Sequence, residues 1–225
     1  MALLAIDCAF SVLSIGIQRD DYTRVVELGE VRQHSRDLLG EIHRLLEEEA
    51  VAPRELKAIA FSQGPGSFTG LRIATGVVQG LAYGLNCAVV PIPSMAAIAS
   101  QVFSECDTRD VVVALHARAD EVYLAQFDQV SEVPKRRGGY HVSQVQTLAD
   151  DLLEGRVLAG SGVSTFLEHA PARIAHFDQL VEIQKPNLVY LLRLATILLD
   201  RGEGVSALEA APLYVREEVA QKPLS

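Results

Sequence analysis

At 225 residues, 49% of them hydrophobic and 22% charged, the chain is long enough to bury a real core and too apolar to stay disordered; its length suits a pair of small lobes. A formal charge of −9 repels a phosphate backbone, so any nucleic-acid role is expected to be shared with a partner. The apolar run Leu188 to Leu199 carries Arg193 and is too short to span hydrocarbon, and the N-terminus lacks a basic leader and cleavage site, so a cytoplasmic protein with no membrane contact is expected.

Leu3 to Asp7 reads as a buried strand, and Val12 to Ile17 and Tyr22 to Leu28 as two more, joined by short polar turns into a meander. From His34 to Ala50, Leu38, Leu39, Ile42, Leu45 and Leu46 recur at the spacing of one helical face, and Pro53 stops that helix. Leu56 to Phe61 is the next strand, after which Gly64-Pro65-Gly66-Ser67-Phe68-Thr69-Gly70 turns the chain into a helix running to about Gly84. A strand around Cys87 to Val90, a helix from Ser94 to Phe103, and a hairpin of Val111 to Leu115 with Glu121 to Phe127 follow. Lys135-Arg136-Arg137, ahead of Gly138-Gly139, reads as a solvated loop. Arg156 to Gly162 reads as a strand entering a glycine turn and a helix, Asn187 to Asp200 as a last long helix, and the segment after Tyr214 has no periodicity.

The second half echoes the first. An apolar strand ending in Asp7-Cys8-Ala9 and followed by another strand returns as one ending in His116-Ala117-Arg118, again followed by a strand. With helices and strands alternating after each meander, this predicts an α/β fold of two related lobes, residues 1–105 and 106–225.

The run Gly64 to Arg72 sits between a strand and a helix, where glycines permit positive φ and backbone N–H groups can face an anion. It lacks the Lys-Ser/Thr pair of a P-loop, and the plainer reading is a tight turn in which Ser67 or Thr69 caps the helix. On that helix Gly76, Gly80 and Gly84 fall four apart, and each costs about 1 kcal/mol relative to alanine, so something packs there, within the chain or from outside. Cys8, Cys87 and Cys106 are too scattered for a disulfide framework or a zinc site. His34 and His43 point to opposite sides of a helix, so no metal pair follows. Asp7 closes the first strand, where a structural aspartate closing a turn is the plain reading, and Cys8 and Ser67 have no sequence-evident base beside them.

The whole string from Ser62 to Gly84, SQGPGSFTGLRIATGVVQGLAYG, resembles the signature of the TsaB (YeaZ) family, and Leu3 to Ala9, His34 to Leu39, Ala117 to Tyr123 and Ala211 to Glu217 follow in the family's order over nearly the full length. The resemblance implies the two-lobed actin-like, ribonuclease H-like (ASKHA) fold with a reduced second lobe. It further implies a non-catalytic scaffold of the complex that places threonylcarbamoyl on the adenosine beside the anticodon, with catalysis in the homologous TsaD. The expected partners are TsaD through a helical bundle, TsaE with it, and a second copy of the chain when TsaD is absent; tRNA is met only through the complex, where Lys135 to Arg137 could touch it. Leu38, Ile42, Leu45, Leu46, Gly76, Val77, Gly80, Leu81 and Gly84 are the expected interface. Asp7, Gly64, Gly66, Ser67, Thr69, Gly70, Arg72 and Arg118 are the expected nucleotide-responsive cleft, with ATP or ADP at the complex interface, no catalytic residue, no metal and no cofactor needed by this chain. A stand-alone ATPase or phosphotransferase, and more remotely a glycoprotease-like peptidase, are the alternatives. The sequence departs from the family where His116 replaces an acidic residue and Cys8 a threonine; a buried His116 with a local hydrogen-bond partner is expected.

Overall fold

The computed structural model describes residues 2–30 and 37–215. The opening meander is β1 (Ala2–Asp7), β2 (Val12–Arg19) and β3 (Tyr22–Glu30). Helix α1 (Leu38–Glu48) follows; its expected start at His34 lies outside the described residues. Then come β4 (Leu56–Gly64), α2 (Phe68–Leu85), β5 (Ala88–Pro93) and α3 (Ser94–Glu105). The second half supplies β6 (Asp110–Arg118), β7 (Glu121–Asp128), β8 (Lys135–Gln144), β9 (Val157–Ala159), α4 (Gly162–His169), β10 (Gln179–Val181) and α5 (Leu188–Asp200).

The first sheet runs β3-β2-β1-β4-β5 and the second β8-β7-β6-β9-β10. In each, the first three strands in sequence pair antiparallel and the last two add parallel to the first strand's free side. This identity of order and direction makes the faint echo between Asp7-Cys8-Ala9 and His116-Ala117-Arg118 a true structural repeat, the doubled ribonuclease H-like arrangement of actin-like proteins.

Alternation along β1 sends Leu4 and Ile6 to one face, where Leu38, Ile42, Leu45 and Leu46 of α1 and Ala74, Val78 and Ala82 of α2 cover them. Leu3 and Ala5 face the other way, onto Leu188, Leu191 and Leu192 of α5. Helix α3 lies between the lobes, Met95, Ile98 and Val102 packing on Val111, Val113 and Phe127 of the second sheet while Ala97 joins the first-lobe cluster. The far face of the second sheet is closed by Val163 and Phe166 of α4. The two sheets change over between α3 and β6, but the chain after β10 returns: α5 packs on the first sheet, Val205 bridges to Val89, and the Leu213 N–H donates to the Gln63 carbonyl at 2.8 Å. The first lobe is thus built from both ends of the sequence.

One reading is corrected. Lys135-Arg136-Arg137 and the glycines after it are not a loop but the start of the edge strand β8. Its basic side chains are held along the ladder: Arg137 pairs with Asp128 at 3.2 Å, and the Arg136 guanidinium lies 4.1 Å from the centre of the Tyr140 ring. Gly138, at φ 62°, sits where the ladder shifts register, so the glycines mark a bulge rather than a turn.

Candidate functional site

The glycine turn is packed shut. Gly64 takes φ 112°, and the Ser67 N–H donates to the Ala9 carbonyl at 2.7 Å, binding the turn to the β1–β2 connection. A Cβ at Gly70 would enter the Cys8 carbonyl and one at Gly66 the Ala9 carbonyl, so these positions are glycine because backbone meets backbone there. Ser67, not Thr69, is the cap: its Oγ accepts the Gly70 N–H at 3.2 Å. Thr69 and Phe68 are exposed; the Arg72 guanidinium lies 3.9 Å from the centre of the Phe68 ring, and its Nε donates to the Tyr214 hydroxyl at 3.3 Å. What reads as an anion cradle is a brace tying the C-terminal segment to the start of α2.

Asp7 is buried at the end of β1, and its Oδ1 accepts the Ala9 N–H at 2.8 Å, the geometry of a turn-closing aspartate. Burial raises its pKa from 3.8 to about 6, while the Ala9 N–H, the nearby Ser62 hydroxyl and the charge of Lys185 act to lower it. Ser62 makes no hydrogen bond of good geometry, so its share is a dipole's, not a full bond's. Burial, and secondly the charge of Asp7, push the neighbouring Cys8 thiol far up, and Ser67 is engaged as a cap, so neither is an activated nucleophile.

In the second lobe, Gly160-Ser161-Gly162 repeats the glycine turn, with Gly160 against the Ala114 carbonyl. His116 was expected to be buried with a local partner; it is exposed, and its partners are distant in sequence. Its N–H donates to Ser161 Oγ at 3.1 Å and its Nδ1 lies 3.1 Å from Thr165 Oγ1. Arg118 is exposed and paired with Glu121 at 2.9 Å. Cavities of about 520, 540 and 430 Å³ open beside Arg193, Asn187 and Asp178, and none of the three is lined by Asp7, the glycine turn or Arg118. Among the described residues no group of three or more His, Cys, Asp or Glu is placed to hold a metal ion, and no helix is long and apolar enough to cross a membrane.

The expected interface divides in two. Leu38, Ile42, Leu45 and Leu46 face inward and fill the first lobe's own core, because the periodic face that marks α1 in the sequence is the face a sheet must cover. Gly76, Gly80 and Gly84 face outward: a Cβ at any of them would find no atom of the described residues within 4 Å beyond the helix itself. Val77 and Leu81 are half-buried beside them. The sequence reading missed the exposed apolar side chains of this layer, Tyr83 at 75% and Leu39 at 57%, and only the fold shows which side of each helix is free.

The doubled sheets, the interlobe α3 and the returning C-terminal helix define an actin-like α/β protein of two related lobes. A family model described as TsaD, tRNA N6-adenosine threonylcarbamoyltransferase, matches residues 28–172. The chain is 30% identical over 237 aligned residues to the tRNA threonylcarbamoyladenosine biosynthesis protein TsaB of Haemophilus influenzae, covering all of this chain and 97% of that one. It is 27% identical over 233 residues to the TsaB protein of Escherichia coli. The solved structure of YeaZ from Pseudomonas aeruginosa superposes with a TM-score of 0.80 at 31% identity, over 95% of this chain and 99% of that one. The chain belongs to the TsaB (YeaZ) family of tRNA threonylcarbamoyladenosine biosynthesis proteins.

Proposed function

We propose that this chain is the non-catalytic scaffold of the threonylcarbamoyl-transfer complex, docking the homologous TsaD through the outer side of α1 and α2 and, with it, recruiting TsaE. The observation that carries this reading is the open glycine stripe. Glycines at 76, 80 and 84 cost α2 about 1 kcal/mol each relative to alanine and meet nothing among the described residues that requires them. A helix from another subunit approaching along that stripe would use the missing side chains and cover Tyr83 and Leu39. The contact is therefore assigned to Leu39, Gly76, Gly80, Tyr83 and Gly84, with Val77 and Leu81 at its margin; the same surface would pair two copies of the chain when TsaD is absent. Transfer to tRNA is left to TsaD, and ATP or ADP is met at the shared contact rather than in a site of this chain. The buried Asp7, which closes a turn on the Ala9 N–H, and the braced glycine turn support that division.

Gly80→Arg is the test. The substitution points into open space, so the isolated chain should keep its melting temperature within a few degrees, while copurification with TsaD and tRNA modification by the reconstituted complex should fall at least about tenfold. Undiminished assembly and product with Gly80→Arg would refute the docking face. Robust ATP hydrolysis by the purified chain, abolished by Asp7→Ala, would instead establish the phosphotransferase reading.

A further inference from the structure

Asp7 and Ser62 stand side by side near the ends of β1 and β4, and Ser94 opens α3 where β5 ends. Ile6 is level with Phe61 and Ser62 with Ile92, so Asp7 neighbours Ser62 across the parallel ladder, and Ser94 lies two residues beyond Ile92. All three are at most 2% exposed, and among the described residues the hydroxyls of Ser62 and Ser94 have no hydrogen-bond partner. On the other flank Ser14 is directly opposite Asp7 in the antiparallel ladder, which brings their Cβ atoms within about 5.5 Å on the same face. Into this face comes Lys185, from the far end of the sequence: its Nζ donates to Ser14 Oγ at 3.2 Å and to Glu27 Oε1 at 2.5 Å. Its side chain is only 20% exposed, so its charge is weakly screened.

The carboxyl ends of parallel strands are where open α/β sheets take up charged ligands, and a carboxylate withdrawn from water there needs a compensating cation. Lys185 also lies midway along the segment that leaves the second lobe and enters the first. Ile183 packs in the second-lobe core and Leu188 in the first-lobe core.

We infer that Lys185 is the resident cation of the Asp7 site: its ammonium, held on the Ser14 hydroxyl that stands opposite Asp7, balances the buried carboxyl across that hydroxyl, and by binding Ser14 and Glu27 it latches the interlobe segment to the first sheet. The two lobes are thereby held at one setting by charge as well as by packing. This holds or fails in the isolated chain, independently of whether α2 docks TsaD.

Lys185→Met in the full-length chain tests it, read by amide hydrogen exchange and by carbon NMR titration of the Asp7 carboxyl. Amides of residues 183–185, 187, 188 and Ser14 are expected to exchange at least about tenfold faster, those of β6 and β7 to keep their rates, and Asp7 to titrate above its wild-type value. A folded Lys185→Met protein with wild-type exchange at 183–188 and an unmoved Asp7 titration overturns the inference. Should the variant not fold, salt serves on the unaltered chain. Glu27 is 60% exposed, so about 1 M sodium chloride should accelerate exchange at 183–188 relative to β6, and equal rates in both overturn the inference.

Discussion

Gly66 and Gly70 owe their identity to the carbonyls of Ala9 and Cys8, which occupy the space a side chain would need, and Asp7 owes its orientation to the N–H of Ala9 in the same connection. These residues form one packed corner, and its electrostatics can be tested by pH. Asp7 has a folded-state pKa near 6 against 3.8 unfolded, so the folded protein holds that proton the more tightly. The stability this supplies is complete below pH 3.8 and is lost as pH rises through 6, leaving an ionised, buried carboxyl that costs on the order of 3 kcal/mol at neutral pH. Asp7→Asn keeps an oxygen to accept the Ala9 N–H and removes the charge. Urea unfolding at pH 7 is expected to show the variant more stable than wild type by up to about 3 kcal/mol, with the difference vanishing by about pH 4. A catalytic carboxylate would make the same change costly to activity; a turn-closing one makes it stabilising.

Helix α2 carries the clearest conflict between folding and its exposed surface, because Gly76, Gly80 and Gly84, unlike Gly70, weaken the helix and relieve no crowding against the described residues. Gly80→Ala is therefore expected to raise the stability of the isolated chain by about 0.5–1 kcal/mol in denaturant unfolding, while weakening assembly with TsaD by holding the partner helix away. Opposite signs in the two measurements would separate a docking role from an incidental run of glycines. The same helix shows why some elements are legible in sequence and others are not. Its start announces itself through Ser67 and the preceding turn, and α1 through Leu38, Ile42 and Leu45, but the periodicity that reveals a helix marks the side it buries in its own lobe. The free side is defined only once the sheet is in place, which is why Leu38, Ile42, Leu45 and Leu46 read as interface and Leu39 and Tyr83 did not. Strand β8 was hidden for another reason: it is a half-exposed edge strand, whose basic residues and Gly138 bulge suit a ladder's margin and imitate a loop. Lys185 left no local sign at all, since its partners Ser14 and Glu27 come from the opening meander.

Across the molecule, the repeat of one five-stranded pattern is what makes the lobes recognisable, and the return of α5 to the first sheet is what joins them. Charge is distributed over this frame so that several basic groups are engaged within the chain. Arg24, Arg118, Arg156 and Arg173 are paired with carboxylates, and Arg72 lies on Phe68. The run that looks most like a nucleic-acid contact follows the same rule: Arg137 faces Asp128 and donates to the Glu154 carbonyl at 3.1 Å, and Arg136 lies on Tyr140. A guanidinium already held in this way releases few counterions on meeting phosphate, and a formal charge of −9 opposes the approach. Replacing Arg136 and Arg137 together with alanine is accordingly expected to loosen the β7–β8 ladder, costing about 1–2 kcal/mol in unfolding, because a ring contact, an ion pair and a carbonyl bond are lost together. The same double variant, assembled with its partners, should leave the slope of log affinity for tRNA against log salt within about one unit of wild type. A drop of nearly two units would mean that both arginines leave their internal partners for phosphate, and that the edge of the second lobe is a tRNA surface after all.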